Sequence, residues 1–356
     1  MTKIITTLGP SSQTSDILDY FKKHSVSIGR LNFSHNVAAW HIDTGFLARK
    51  AGLELMVDLA GPKVLVGDLA APVELQTGSK VIIYEEEKIK NEQFWFKQES
   101  AALTALPCMF KIQKFVKPGK SVLIDDGKIK LIVDEVYEDH IVCDVIFGGK
   151  VKTHKGINLP GSHVDIPFLV DRDIDLLTEV LPILKPEYVA PSFVQAFNQV
   201  DELNTFMKNI LDKAGVKDYF PKIVMKLEMA SAVEDELLGQ LIEASDILMI
   251  ARGDLALETQ PINISVPFYQ EKIKQMCNKA GKPFIVATQI LETMMDSPVP
   301  TRAEASDLYR AVVIDKADYV MLSGESAAGQ FPIQCVNLMH DMITKADSIK
   351  ELTRVA

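Results

Sequence analysis

The sequence predicts an α/β protein: a (β/α)8 TIM barrel with a small antiparallel β-barrel domain inserted after strand 3. Eight short apolar runs of β type recur along the chain, alternating with amphipathic helical stretches. Between the third run and the fourth the pattern changes to closely spaced hairpin signals. Polar side chains gather at the C-terminal ends of the runs, the end at which such barrels carry their chemistry.

The runs, in order, are KIITTLG, SIGRLNF, ELMVDL, YVAPSF, KIVMKLE, ILMIAR, PFIVAT and DYVMLS. Strands covered on both faces read as near-continuous Val, Ile, Leu and Met, and their alternation with helices points to a parallel sheet. Eight such units close most economically into a barrel. The helices between the later runs include DRDIDLLTEVLPIL, QVDELNTFMKNILDKAG, SAVEDELLGQLIEAS, VPFYQEKIKQMCNKAGK and SDLYRAVVIDKA, none of them long enough for a coiled coil. From about Gly67 to about Pro167 the segments TGSKVIIYEE, KPGKSVLIDDGKIKLIVDEV and EDHIVCDVIFGGKV separate strands by turns, with Asp-Gly and Gly-Gly among the turn residues. The expected domains are therefore the barrel, 1–66 with 168–356, and the β-rich insert, 67–167.

A length of 356 residues suits one barrel of roughly 250 residues plus an insert. The 38 Lys and Arg against 48 Asp and Glu give a net charge of -10, and no basic block with interleaved aromatics breaks it, so nucleic acid is an unexpected partner. An acidic enzyme acting on anions must concentrate its positive charge locally. The N-terminus lacks a basic leader followed by a long apolar stretch, and no apolar run approaches the ~18 residues of a membrane span, so a cytoplasmic protein with no membrane partner is expected. The four cysteines, Cys108, Cys143, Cys277 and Cys335, form no C-x-x-C pair and read as buried free thiols.

The strand ends carry the candidate chemistry. Arg30, Asn32 and Ser34 follow one another at i, i+2, i+4 on the second run, a spacing that turns all three to one face while Leu31 and Phe33 take the other. Asp58 ends the third run, Lys226 and Glu228 the fifth and Thr288 the seventh; Asp254 follows the sixth, and Ser323 and Glu325 follow the eighth. An isolated Lys-x-Glu is more often a solvated strand edge, but Met225 and Leu227 mark this strand as buried. Asp254 reads equally as a helix cap, and Thr288 and Ser323 as capping hydroxyls; their convergence on one rim favours function. Glu228 and Asp254 offer hard oxygen ligands suited to Mg²⁺ or Mn²⁺, whose shell a substrate phosphate would complete. Lys226 and Arg30 can neutralise a phosphoryl group in transfer. The backbone N–H groups of Gly253 and Asp254, at an expected helix start, can hold a small carboxylate.

The motifs GRLNFSH, DLAGPKV, IDDGKI, HKGINLPG, KLE, ARGDLALE, ATQILETM, PTRAEASD and MLSGES resemble, in order and spacing, those of the pyruvate kinase family, from about Lys3 to about Ala346. The resemblance implies transfer of a phosphoryl group from phosphoenolpyruvate to ADP, giving pyruvate and ATP. It further implies that Arg30 is the substrate-phosphate arginine, Lys226 the lysine stabilising the phosphoryl in flight, and Glu228 and Asp254 the divalent-metal ligands. Thr288 is similar to the threonine that contacts substrate and helps protonate the enolate, with Ser323 and Glu325 in the proton relay. Asn32, His35 and Lys155 match nucleotide-side positions, and Asp126 an insert residue that closes over the nucleotide phosphates. Asn32, Ser34 and Asp58 also match the family's monovalent-cation site.

The chain departs from that pattern at several positions. Lys63 falls where potassium-dependent members carry a glutamate, and Leu59 replaces their threonine, so an ammonium in place of K⁺ and K⁺-independent activity are expected. Leu65 stands where the family usually has an arginine reaching the substrate and nucleotide phosphates, so one charge-assisted clamp is missing, a loss on the order of 10²-fold in rate. Ala256 replaces a glycine. By the resemblance the sequence stops before the family's C-terminal regulatory domain, which leads to the expectation of an enzyme without the sugar-phosphate effector site and of a homodimer through the barrel. Two other readings compete: nucleotide-independent, metal-dependent enolate chemistry on a pyruvate-like acid, and a catalytically impaired phosphoenolpyruvate-binding sensor. Asp126, Lys155 and His35 favour the kinase; Leu65 favours the nucleotide-free enzyme.

Overall fold

The structure is a computed structural model that describes residues 1–86, 104–162, 164 and 166–355. By its contacts the chain divides into two compact units, one of Met1–Gly61, Phe168–Leu255 and Val266–Ala356, the other of Pro62–Pro167 with Ala256–Ser265. The hairpin signals of the sequence bound the insert at 67–167; the second unit also takes in the ten residues that follow ARGDL.

In the first unit eight parallel strands close into a barrel: Lys3–Thr7, Val26–Asn32, Glu54–Asp58, Tyr188–Ala190, Lys222–Leu227, Ile247–Ala251, Phe284–Ala287 and Tyr319–Leu322. Each of the eight apolar runs supplies one of them. Their alternation makes two apolar layers. Ile5, Ile28, Met56, Ala190, Val224, Met249, Ile285 and Met321 pack inside the barrel, while Ile4, Leu31, Val57, Met225, Ile250 and Val286 pack outward with the helices. Two residues further along the inward face, several strands replace an apolar side chain by a polar one. Ile28 gives way to Arg30, Met56 to Asp58, Ala190 to Ser192 and Val224 to Lys226. The polar layer thus begins where the packed core ends, at the C-terminal mouth.

Two helix starts use a carboxylate to hold backbone N–H groups. Asp173, in the first turn of the helix Asp171–Leu184, is fully buried and accepts the N–H groups of Ala60 and Gly61, each at 2.8 Å, which fixes the turn after the third strand. The helix Arg302–Tyr309 opens with a reciprocal capping box between Thr301 and Glu304, legible in the sequence as T-x-x-E.

The second unit contains a seven-stranded sheet whose described pairings are antiparallel except between Lys80–Glu85 and Thr104–Cys108, and a two-stranded sheet of Val73–Leu75 with Gly149–Val151. The Asp-Gly signal closes a hairpin between Ser121–Ile124 and Ile129–Val136, with Asp125, Asp126 and Gly127 all at positive φ (52°, 57° and 77°). The Gly-Gly signal does something else. The strands on either side of Gly148, His140–Phe147 and Gly149–Val151, belong to different sheets. A Cβ on Gly148 would stand 2.1 Å from the carbonyl oxygen of Leu75, so the glycine permits a close backbone crossing.

All four cysteines are buried and unpaired, and burial pushes each thiol up to about 12. Among the described residues no helix is long and apolar enough to cross a membrane.

Candidate active site at the barrel mouth

The inward polar layer of the first unit forms a continuous chain of charge. Arg30 donates from Nε to Asp58 Oδ2 at 2.6 Å and from Nη1 to the Thr7 hydroxyl at 2.7 Å. The other oxygen of Asp58 accepts from Lys226 Nζ at 2.9 Å. Lys226 also pairs with Glu228 Oε1 at 2.9 Å and donates to the Ser192 hydroxyl. Glu228 Oε2 accepts the N–H of Phe193 at 2.8 Å, and Ser192 donates to the carbonyl of Leu59 at 2.6 Å. Arg30 is 9 % exposed, Asp58 1 %, Lys226 7 % and Glu228 3 %.

Such burial would neutralise isolated groups; here the partners decide. For Lys226, burial works against the ammonium, yet the charges of Asp58 and Glu228 outweigh it and raise the pKa, so the side chain is a fixed cation. Burial works against the Asp58 carboxylate too, but Arg30 and Lys226 hold it below its ordinary range. Glu228 goes the other way: burial raises it, Lys226 only partly offsets that, and the neighbouring charge of Asp254 raises it further. Two carboxylates close enough for the charge of one to act on the other are a donor set suited to a hard divalent cation. Among the described residues no group of three or more His, Cys, Asp or Glu could hold a metal. Two carboxylates are sufficient for an ion that keeps waters and takes substrate phosphate as a ligand.

Thr288 follows the seventh strand with φ of +68°, and Gln289 continues at +51°. The Thr288 hydroxyl donates to the Ala287 carbonyl at 2.6 Å and accepts the N–H of Gly253 at 2.8 Å. The Gly253 N–H expected to receive a carboxylate is therefore engaged by Thr288. Ser323 and Glu325 also meet, but through the backbone. Glu325, 2 % exposed, accepts the N–H of Ser323 at 2.8 Å and that of Leu291 at 3.2 Å. The Ser323 hydroxyl is buried with no hydrogen-bond partner among the described residues.

The second strand ends at Asn32, two residues before Ser34, because the Asn32 side chain accepts the Ser34 N–H at 3.1 Å and turns the chain. The i, i+2, i+4 spacing thus fails at its third member: Ser34 stands exposed in a turn, followed by His35. Arg172 braces this loop through the carbonyls of Phe33 and Asn36. Partial burial, then the charges of Arg30 and Arg172, pull the His35 imidazole below its ordinary value.

In the second unit Lys155 pairs with Asp125 at 2.6 Å, while Asp126, the expected phosphate-side residue, is exposed at the hairpin tip. The Lys63 chain lies over Gly156, whose added Cβ would stand 2.6 Å from Lys63 Cε, and Leu65 is in register with the same glycine.

Sequence reasoning missed Ser192, Thr7, Arg172, Asp173 and Arg252. Ser192 carried a signal, a polar residue two places past an inward alanine, but Pro191 before it reads as a turn. Arg252 hid inside ARGD as the first residue of a helix.

A closed parallel barrel whose mouth holds a buried arginine–carboxylate–lysine–carboxylate chain defines an enzyme built to handle anionic substrates. The family model described as the barrel domain of pyruvate kinase matches residues 1–336. A pyruvate kinase of Clostridium perfringens is 35 % identical over 98 % of this chain and 70 % of its own length. One of Agrobacterium vitis is 36 % identical over 98 % and 68 %. The crystal structure of a pyruvate kinase from Cryptosporidium parvum superposes with a TM-score of 0.85 at 32 % identity, over 98 % of this chain and 69 % of that one. The chain belongs to the pyruvate kinase family.

Proposed function

We propose that this chain is a pyruvate kinase-like phosphotransferase that moves the phosphoryl group of phosphoenolpyruvate to ADP. The P–O bond to the enol oxygen breaks, a bond from phosphorus to the terminal phosphate oxygen of ADP forms, and the released enolate takes a proton at its methylene carbon to become pyruvate. The observation that carries this reading is Lys226, a buried and fixed cation held by three oxygen partners, with Arg30 reaching the same Asp58. Two buried, ion-paired positive groups at the mouth supply the electrostatic stabilisation on which phosphoryl transfer depends. Relatives carrying this activity in their names align with nearly the whole chain, which favours the kinase over the nucleotide-free enzyme or the sensor.

In this reading Glu228 and Asp254 hold Mg²⁺ or Mn²⁺, which when bound supplies further neutralisation of phosphate charge. Arg30 and Lys226 bind the phosphoryl oxygens. A substrate carboxylate that takes the Gly253 N–H displaces the Thr288 hydroxyl from it and leaves that hydroxyl to face the substrate. Thr288, Ser323 and Glu325 deliver the proton. Asn32, His35, Asp126 and Lys155 serve the nucleotide. Residues 67–167 are read as the inserted small antiparallel β-barrel domain and lid of the family, a reading supported by the antiparallel pairings of the second unit. The role of a monovalent cation at Asn32, Ser34 and Asp58 passes to the ammonium of Lys63, a reading that rests on a lysine standing where potassium-dependent members carry a glutamate. A cytoplasmic homodimer associating through the barrel completes the proposal, and sedimentation would measure the association.

The test is pyruvate formation from phosphoenolpyruvate with Mg²⁺, with and without ADP. Turnover that needs ADP and is unchanged when K⁺ replaces an inert counter-ion is expected. A rate that rises several-fold with K⁺ would remove the role given to Lys63, and pyruvate formed without ADP would remove the kinase.

A further inference from the structure

Thr288 occupies a backbone region that β-branched residues rarely enter, and Gln289 follows it there. Such a turn persists only where its surroundings over-determine it. The surroundings are Arg252. This side chain, 7 % exposed, donates from Nη2 to the carbonyl of Thr288 at 2.8 Å and to that of Gln289 at 3.3 Å. From Nε it reaches the carbonyls of Ala287 and Thr288, each at 3.3 Å. Its Nη1 is turned the other way, onto Asp307 at 2.7–2.8 Å. Asp307 in turn sits on the helix Arg302–Tyr309, whose start is pinned by the Thr301–Glu304 capping box. One guanidinium therefore gathers three successive carbonyls of the strained turn and ties them to a capped helix.

We infer that Arg252, braced by Asp307, is the positioning residue that holds the Thr288 hydroxyl at the barrel mouth. Its donors are spent on the turn and on Asp307, so it acts through Thr288 and does not touch the substrate. A planar fork suits this task, because only guanidinium offers several donors in one plane to neighbouring carbonyls. Its consequence for rate rests on the phosphoryl-transfer reading; its consequence for geometry does not.

The experiment pairs kinetics with crystallography on Arg252→Ala. The expected result is a Thr288 that has left the left-handed region, with kcat lowered about 10²-fold and KM for phosphoenolpyruvate changed by less than about twofold. A Thr288 that keeps its φ near the parent value overturns the inference whatever the rate does, and so does a relaxed turn with unchanged kcat. Asp307→Asn serves where Arg252→Ala fails to fold. It leaves the guanidinium but loosens its brace, and about a tenfold fall in kcat at constant KM is expected, unchanged kcat being the overturning result. An inactive parent protein would overturn the proposed function alone, and the conformation of Thr288 in the variant would still decide the role of Arg252.

Discussion

Lysine meets aspartate in both units of this protein, in opposite settings. At the barrel mouth Lys226 faces Asp58 with 9 % and 1 % of their side chains exposed; in the second unit Lys155 faces Asp125 with 37 % and 15 %. The distances are similar, 2.9 Å and 2.6 Å, so geometry alone does not separate them. Burial does. The mouth cluster is largely shielded from solvent, and each charge depends on the others. The hairpin pair retains solvent as an alternative partner, which screens it and lowers what its loss would cost. Contact distance is thus a poor guide to which ion pair matters.

The same substitution at both places is the strongest way to break this comparison. Lys226→Met leaves Asp58 and Glu228 facing each other without their shared cation, and a destabilisation of about 3–5 kcal/mol in denaturant melts is expected. A loss below about 1 kcal/mol would mean that the cluster relaxes or hydrates freely, like a surface pair.

A second buried group of the first unit sharpens the contrast by titration. His41 is fully buried, donating from Nε2 to the His35 carbonyl at 2.9 Å. Burial first, then the charge of Arg172, bring its pKa from 6.5 to about 4 against the opposing pull of that hydrogen bond. The unfolded chain takes up a proton that the folded chain refuses. Stability conferred by neutral His41 is therefore complete above pH 6.5 and declines as pH falls towards about 4. Over that window the stability gap between the parent and His41→Gln should narrow by about 3 kcal/mol, measured as urea midpoints. A gap independent of pH would show that the imidazole protonates in place.

Lys155→Met, the hairpin counterpart, should cost no more than about 1 kcal/mol. In the proposed function its effect falls on KM for ADP. A stability loss equal to that of Lys226→Met would dissolve the contrast between the two regions.

The contrast also explains what the sequence could reveal. Every barrel strand was legible, because strands buried on both faces must be written in apolar residues and turns must interrupt them. The charges of Arg30, Asp58 and Lys226 were legible for the same reason, since a charge two residues beyond an inward apolar residue stands out, and Glu228 follows two residues after Lys226. Ser192 did not stand out, since serine after proline is ordinary turn chemistry. The left-handed Thr288 could not be read, because a β-branched residue gives no local sign of positive φ; the cause lies in Arg252, 36 positions away in sequence. The Asp-Gly hairpin was readable from local turn preference. The Gly148 crossing was not, because its cause is Leu75, a residue distant in sequence. Local rules specify the elements; contacts between distant segments set the remaining geometry.

The most direct test of the proposed chemistry tracks phosphorus by ³¹P NMR in one tube with phosphoenolpyruvate, ADP and Mg²⁺. The phosphoenolpyruvate resonance should be replaced by the γ-phosphate of ATP in equal amount, and Lys226→Met should leave it unchanged. Inorganic phosphate in place of ATP, or transfer that survives in Lys226→Met, would contradict it.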